Sequence, residues 1–200
     1  MTNTRDIIVV GASLGGLEAV GKLVRAFPSD LQAAILVVIH THSSSPRLLA
    51  RIIGKDAALK TSYAEEGAKM KRGKVYIAPP DFHLTVAQQG VLHLNHGPKI
   101  GFHRPAADAL FTSAARAFRE RVIGVVMTGG DGDGTMGLRE IHAAGGLSVV
   151  QEPSEAVAPS MPRSAIAGDH PDFVVGLAGM AELLCRLVGN GSEAAALPSS

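Results

Sequence analysis

Cysteine is almost missing from this chain. Cys185 stands alone among 200 residues, which excludes a disulfide framework and any cysteine metal cluster. An excess of charge of either sign is missing too. Nineteen Lys and Arg against 18 Asp and Glu leave a formal charge of +1, with no Lys/Arg-rich run, so neither nucleic acid nor an anionic membrane is expected as a partner. Long apolar stretches are absent as well. The longest strongly apolar run, residues 33–39, is far too short to cross a bilayer, so no membrane insertion is expected. The first residues, Met-Thr-Asn-Thr-Arg-Asp, carry no secretory core. Together these absences point to a reducing, cytoplasmic setting.

What is present describes one well-buried domain, at 46% hydrophobic and 18% charged residues. Strand-like apolar runs at 7–10, 34–39, 122–127 and 147–151 alternate with helical patterns at 18–27, 46–53 and 136–144. Ser45-Pro46 reads as an N-cap followed by a first-turn proline for the second of these helices. Alternation of this kind predicts an α/β fold with a doubly wound, mostly parallel sheet flanked by helices. Short strand candidates at 74–78, 82–86 and 91–95 depart from the rhythm and predict an antiparallel hairpin excursion. A helix over 106–118 follows, with Ala107, Leu110, Phe111, Ala114 and Phe118 as its apolar stripe. Residues 173–175 and 180–188 supply a last strand and a closing helix. The domain is expected to span 1–188, with 189–200, rich in Gly, Ala and Ser, as a disordered tail.

The chemistry gathers at strand ends. Ser13 follows the first strand in Val-Gly-Ala-Ser-Leu-Gly-Gly (10–16), at a turn into a helix. There it can be a nucleophile, part of a phosphate cradle, or simply a tight turn; the N–H groups of Leu14, Gly15 and Gly16 would face an oxyanion. A serine needs a base, which a carboxylate usually orients. His40 ends the second strand, and His42, two residues on, faces the same side of an extended chain. Asp131 and Asp133 follow the strand at 122–127, and in an open parallel sheet such strand ends lie along one rim. An EF-hand reading of the Asp loop fails, because Met136 and His142 stand where glycine and glutamate are needed. Glu65-Glu66 reads as a solvated pair. His103-Arg104-Pro105 could bind an anion or only lead into a helix, and Met161-Pro162-Arg163 reads as a stiff loop. Cys185 reads as core.

Six segments taken in order carry a family likeness: residues 10–16, Val-Ile-His (38–40), Tyr-Ile-Ala-Pro-Pro-Asp-Phe-His (76–83), His-Arg-Pro-Ala-Ala-Asp-Ala-Leu-Phe (103–111), Met-Thr-Gly-Gly-Asp-Gly-Asp-Gly (127–134) and Ser-Met-Pro-Arg (160–163). Together they resemble the CheB-type protein-glutamate methylesterase catalytic domain of bacterial chemotaxis. The resemblance implies hydrolysis of glutamate methyl esters on the cytoplasmic helices of chemoreceptors, with deamidation of receptor glutamines as a second activity. It implies Ser13 as nucleophile, His40 as base and Asp133 as the orienting acid, with no cofactor and no metal. Asp131 falls where the family commonly has a small residue. Leu14, Gly130 and Thr41-His42 also depart from the family's usual threonine, methionine and Met-Pro. Classical members carry an amino-terminal receiver domain. This chain starts almost at its first strand, so that switch is expected to be either excised or supplied by a separate receiver-domain regulator. The alternatives are a non-catalytic receptor- or phosphate-binding module of the same fold, and an esterase or deamidase acting outside chemotaxis.

Overall fold

A computed structural model describes residues 5–189. Seven parallel strands form one sheet: β1 (Ile7–Ala12), β2 (Ala34–Ile39), β3 (Lys60–Tyr63), β4 (Lys74–Ile77), β7 (Val122–Val126), β8 (Leu147–Gln151) and β9 (Phe173–Val175). Their order across the sheet is β3-β4-β2-β1-β7-β8-β9. The chain builds the side of β2, β3 and β4 first, β3 at the edge before β4 inside it, then crosses to β7 on the other side of β1, so the strand order reverses between β1 and β7. Ligand crevices of open α/β sheets form at such a reversal. A separate antiparallel pair, β5 (His83–Val86) and β6 (Leu92–Asn95), makes the hairpin.

Helices cover both faces, and the strands direct alternate side chains to each. Ile8, Val10 and Ala12 of β1 face α1 (Gly16–Ala26), α2 (Leu49–Ile53) and α6 (Leu177–Leu187), while Ile7 and Val9 face α3 (Ala107–Phe118), α4 (Thr135–Ala143) and α5 (Ser160–Asp169). α1 presents Ala19, Val20, Leu23 and Val24 to the sheet, and Leu23→Ala would cost about 2–5 kcal/mol by leaving a cavity there. The hairpin lays Leu84, Val86 and Leu92 against α3, and Ser113 Oγ of α3 accepts the Val86 N–H at 3.1 Å. Among the described residues no helix is long and apolar enough to cross a membrane.

The structure corrects several expectations. The strand at 74–78 belongs to the parallel sheet, between β2 and β3, and only the two later candidates form the antiparallel pair. The edge strand β3 was not expected: Lys-Thr-Ser-Tyr has no apolar run, because this edge of the sheet is only half covered. The helix expected from 46 begins at Leu49. Residues 46–48 instead form a turn in which the Leu48 N–H donates to the Pro46 carbonyl at 2.8 Å. The Tyr63 hydroxyl accepts the Leu49 N–H at 3.0 Å, so the helix start is capped from β3 and not by Ser45. Met161-Pro162-Arg163 is the first turn of α5. Proline is tolerated there because the first N–H groups of a helix have no partner within it. Apart from Gly189, the expected tail at 189–200 lies outside the described residues.

Candidate active site

Three neighbouring strand ends bring the candidate residues to one rim. The ladder runs past the formal strand ends: the His40 N–H donates to Ala12 O at 3.1 Å, and the Ser13 N–H to Thr128 O at 2.9 Å. Ser13 therefore stands between the continuations of β2 and β7. Gly15 then takes the left-handed conformation (φ 79°) that turns the chain into α1, and a Cβ there would meet the Val157 side chain at 2.7 Å. Gly129 is needed for a different reason. Its missing side chain leaves room for the buried Met161, whose Sδ would lie only 1.9 Å from a Cβ, while Ser13 Cβ approaches from the other side at 3.0 Å. The Ser-Met-Pro-Arg segment thus acts as a floor beneath the Ser13 turn. Gly130, by contrast, faces open space, so the bulky residue expected in the family would meet no clash at its Cβ.

Asp133 is the fixed point of the site. Its carboxylate accepts N–H groups from Ala107 (2.5 Å), Asp108 (3.0 Å) and Gly134 (2.9 Å), which caps the start of α3 from a distant loop. His40 Nε2 lies 2.7 Å from the same carboxylate. Burial alone would push the Asp133 carboxyl up, but the His40 hydrogen bond and the N–H groups of Asp108 and Ala107 outweigh it and hold it below the usual carboxylate range. An ionised carboxylate only accepts hydrogen bonds, so His40 Nε2 carries the proton and donates it. In the neutral ring Nδ1 is then the nitrogen with a lone pair. That atom is buried and has no hydrogen-bond partner.

The return cap comes from Asp108, whose Oδ1 accepts the Gly137 N–H at 2.7 Å at the start of α4. Each of the two helices is thus capped by an aspartate from the other's neighbourhood. Burial, with the nearby Asp133 charge adding to it, pushes the Asp108 carboxyl up to about 6.

Ser13 and His40 line one cavity of about 590 Å³, together with Leu14, Leu17, Ile39 and Leu49. His40 and Asp133 touch directly; Ser13 shares only this cavity with His40, and among the described residues no hydrogen bond joins the two. His42 is absent from that lining. It is exposed, and its Nδ1 lies 2.8 Å from Ser44 Oγ, so the second histidine faces away from the serine. The oxyanion donors need one correction: the Gly16 N–H donates to the Ser13 carbonyl at 2.8 Å and is occupied, which leaves the N–H groups of Leu14 and Gly15.

Other candidates resolve as structural groups. Arg104 donates to Asp81 Oδ1 at 2.7 and 3.1 Å and to Gly97 O at 2.7 Å, so its guanidinium clamps the hairpin and is not free for an anion. Glu66 accepts the Leu94 N–H and lies 2.9 Å from His93, which binds the hairpin edge. Two further residues join the site in ways that the sequence left open. His103 stacks on His40, with ring centroids 3.6 Å apart and 8° between planes, and its Nε2 lies 2.7 Å from Asp131 Oδ2. Thr128 Oγ1 donates to Leu14 O at 2.8 Å and accepts the Ala158 N–H at 2.9 Å, which ties the nucleophile turn to the segment before α5. Of the two openings the sequence offered for His103-Arg104-Pro105, His103 takes the first, meeting the Asp131 carboxylate, while its stack on His40 had no sequence signal.

Comparison with known proteins agrees with this architecture. A family model described as CheB methylesterase matches residues 8–184. A Leptospira interrogans protein with the provisional name protein-glutamate methylesterase/protein-glutamine glutaminase is 37% identical over 188 residues, covering 94% of this chain and 97% of that one. A protein-glutamate methylesterase/protein-glutamine glutaminase of Pyrococcus horikoshii is also 37% identical, and this chain spans 51% of its length. The crystal structure of the Thermotoga maritima CheB methylesterase catalytic domain superposes with a TM-score of 0.88 at 33% identity, covering 92% of this chain and all of that one. Sequence match, fold and length of overlap agree, and the chain belongs to the CheB methylesterase family.

Proposed function

We propose that this protein is a cytoplasmic protein-glutamate methylesterase that hydrolyses glutamyl methyl esters on the cytoplasmic helices of chemoreceptors, deamidates receptor glutamines, and answers to a receiver-domain regulator. Ser13 is the nucleophile, His40 the base and Asp133 the orienting acid. One observation carries the reading: His40 gives Nε2 to Asp133 at 2.7 Å, leaves a buried Nδ1 without a hydrogen-bond partner, and lines one cavity with Ser13.

In this mechanism Nδ1 takes the Ser13 proton as Oγ attacks the ester carbonyl. The Leu14 and Gly15 N–H groups receive the developing oxyanion, each contributing about 2.7–4 kcal/mol by analogy with well-studied serine hydrolases. The imidazolium returns its proton to the leaving oxygen and methanol departs; a glutamine substrate would release ammonia by the same path. Water then attacks the glutamyl-enzyme, giving its proton to Nδ1, and Ser13 Oγ leaves with that proton. Asp133 stays ionised throughout and stabilises the imidazolium. The apolar lining residues Leu14, Leu17 and Leu49 suit contact with a helix surface beside the reacting glutamate.

The test is methanol release from a methylated receptor, together with fluorophosphonate labelling. Ser13→Ala is expected to lose both, by about 10⁴-fold or more in rate, with an unchanged melting temperature. Undiminished methanol release by Ser13→Ala would refute the assignment. Saturable phosphate binding by an unlabelled wild-type protein would favour the binding module.

A further inference from the structure

Asp131, His103 and His40 form a second constellation on the open side of the base. One ring nitrogen from each histidine and a carboxylate oxygen of Asp131 all lie within 4.8 Å of one another. Asp131 Oδ2 is 3.4 Å from His40 Nδ1 and 2.7 Å from His103 Nε2. Two neutral imidazoles and a carboxylate are the three-ligand donor set of open zinc sites, where bonds of about 2.0–2.1 Å in a tetrahedron hold ligand atoms about 3.4 Å apart. The His40 to Asp131 separation already has that value.

The groups behind these ligands fit as well. Metal-bound histidines usually give their other nitrogen to a carboxylate, and ligating carboxylates are themselves hydrogen-bonded. His40 Nε2 is held by Asp133, and Asp131 Oδ1 accepts the Asp133 N–H at 2.9 Å. The His40 side chain is only 6% exposed, and its Nδ1 is buried without a hydrogen-bond partner. A route in exists. His40 and His103 also line a cavity of about 300 Å³ on the Phe102 side, and the side chains of His103 and Asp131 are 27% and 33% exposed. In the stacked arrangement the two rings are parallel, so their lone pairs cannot meet on one ion; binding requires the more exposed His103 ring to turn out of the stack.

We propose that His40, His103 and Asp131 form a binding site for a borderline-soft divalent cation of the Zn²⁺ class, and that the occupied site switches the enzyme off. The ion would take Nδ1, the lone pair that the serine mechanism requires, so metal and catalysis exclude each other. Hard cations such as Mg²⁺ and Ca²⁺ prefer all-oxygen shells and should not compete. The binding site rests on the donor set, its supporting groups and a turn of the His103 ring, whereas the inhibition rests on the esterase reading as well.

Two readouts separate these parts. Co²⁺ titration of the whole chain, read by its visible absorption, is expected to show one tetrahedral site per molecule that Zn²⁺ displaces and millimolar Mg²⁺ does not. Asp131→Asn and His103→Gln, each shown to be folded by circular dichroism, should each weaken it more than about 10-fold. Zn²⁺ should slow fluorophosphonate labelling of the wild type and be reversed by EDTA, with each variant compared against its own metal-free rate and found resistant. No stoichiometric Co²⁺ site, or one unchanged in both variants, overturns the metal site. A Co²⁺ site with labelling unaffected by Zn²⁺ overturns the inhibition. A protein never labelled at Ser13, even without metal, refutes the esterase reading and the inhibition with it, while the Co²⁺ spectra still decide the site.

Discussion

The two rims of the sheet each bury a carboxylate at the end of a central strand, and they treat it in opposite ways. At the amino rim, the Asp6 side chain is 3% exposed and accepts from Arg72 at 2.6 and 3.1 Å and from Arg121 at 2.9 and 2.8 Å. Both partners are permanently charged guanidiniums, which have no proton to exchange near neutral pH. At the carboxyl rim, Asp133 is held as tightly, but three of its partners are backbone N–H groups and the fourth is an imidazole. An imidazole side chain is able to exchange protons, and this one has a second nitrogen with no hydrogen-bond partner and lines a cavity with Ser13. The contrast shows that burial and hydrogen bonding of a carboxylate do not by themselves mark a reactive site. What differs is whether its partner can still exchange a proton with something else.

Substitution at each rim should separate rate from stability. Asp133→Asn is expected to lower the rate of methanol release about 10⁴-fold, because an amide no longer selects the His40 tautomer or stabilises its cation. Steady-state kinetics beside a thermal melt would check this; the loss of a charged cap should lower stability by only about 1 kcal/mol. Asp6→Ala should do the reverse. It removes the anion between two arginines, at a cost of about 2–3 kcal/mol, less than for a fully buried pair because Arg72 and Arg121 remain half exposed. A fall of about 5–10 °C in melting temperature with an unchanged turnover rate below the transition is the expected result. A large rate loss in Asp6→Ala would break the comparison.

The smallest effect sharpens it. Asp108 lies beside Asp133, and its folded-state carboxyl is raised from 3.8 to about 6. A raised acid favours the folded state while it is protonated, so that contribution is present below about pH 4 and is lost as pH rises through 6. Asp108→Asn keeps an acceptor for the Gly137 N–H and removes the like charge. It should therefore stabilise the protein by about 1 kcal/mol at pH 8, about 2–4 °C, and by close to nothing at pH 4. Melting curves at the two pH values measure the difference, and equal shifts at both would contradict an origin in the buried Asp108 charge.

Legibility in the sequence followed the same physical lines. β1, β2 and β7 are continuous apolar runs covered on both faces, and they stood out for that reason. β3 did not, being a polar edge strand, and α5 did not, because Pro162 and Gly168 interrupt any helical stripe. Ser13, His40 and Asp133 were legible because each directly follows a buried strand or its turn, and parallel strands end on one rim. The stack of His103 on His40 was not. It depends on how the loop before α3 folds back over the rim, and no periodicity encodes that.

The proposed mechanism requires His40 to donate from Nε2 to Asp133 and to keep Nδ1 for Ser13. Nitrogen-15 NMR of the His40 ring in the metal-free protein at alkaline pH probes this tautomer without an intermediary. The expected spectrum has a proton on Nε2, shifted downfield by the Asp133 hydrogen bond and lost as such in Asp133→Asn, with Nδ1 unprotonated. A neutral His40 ring carrying its proton on Nδ1 would refute the mechanism.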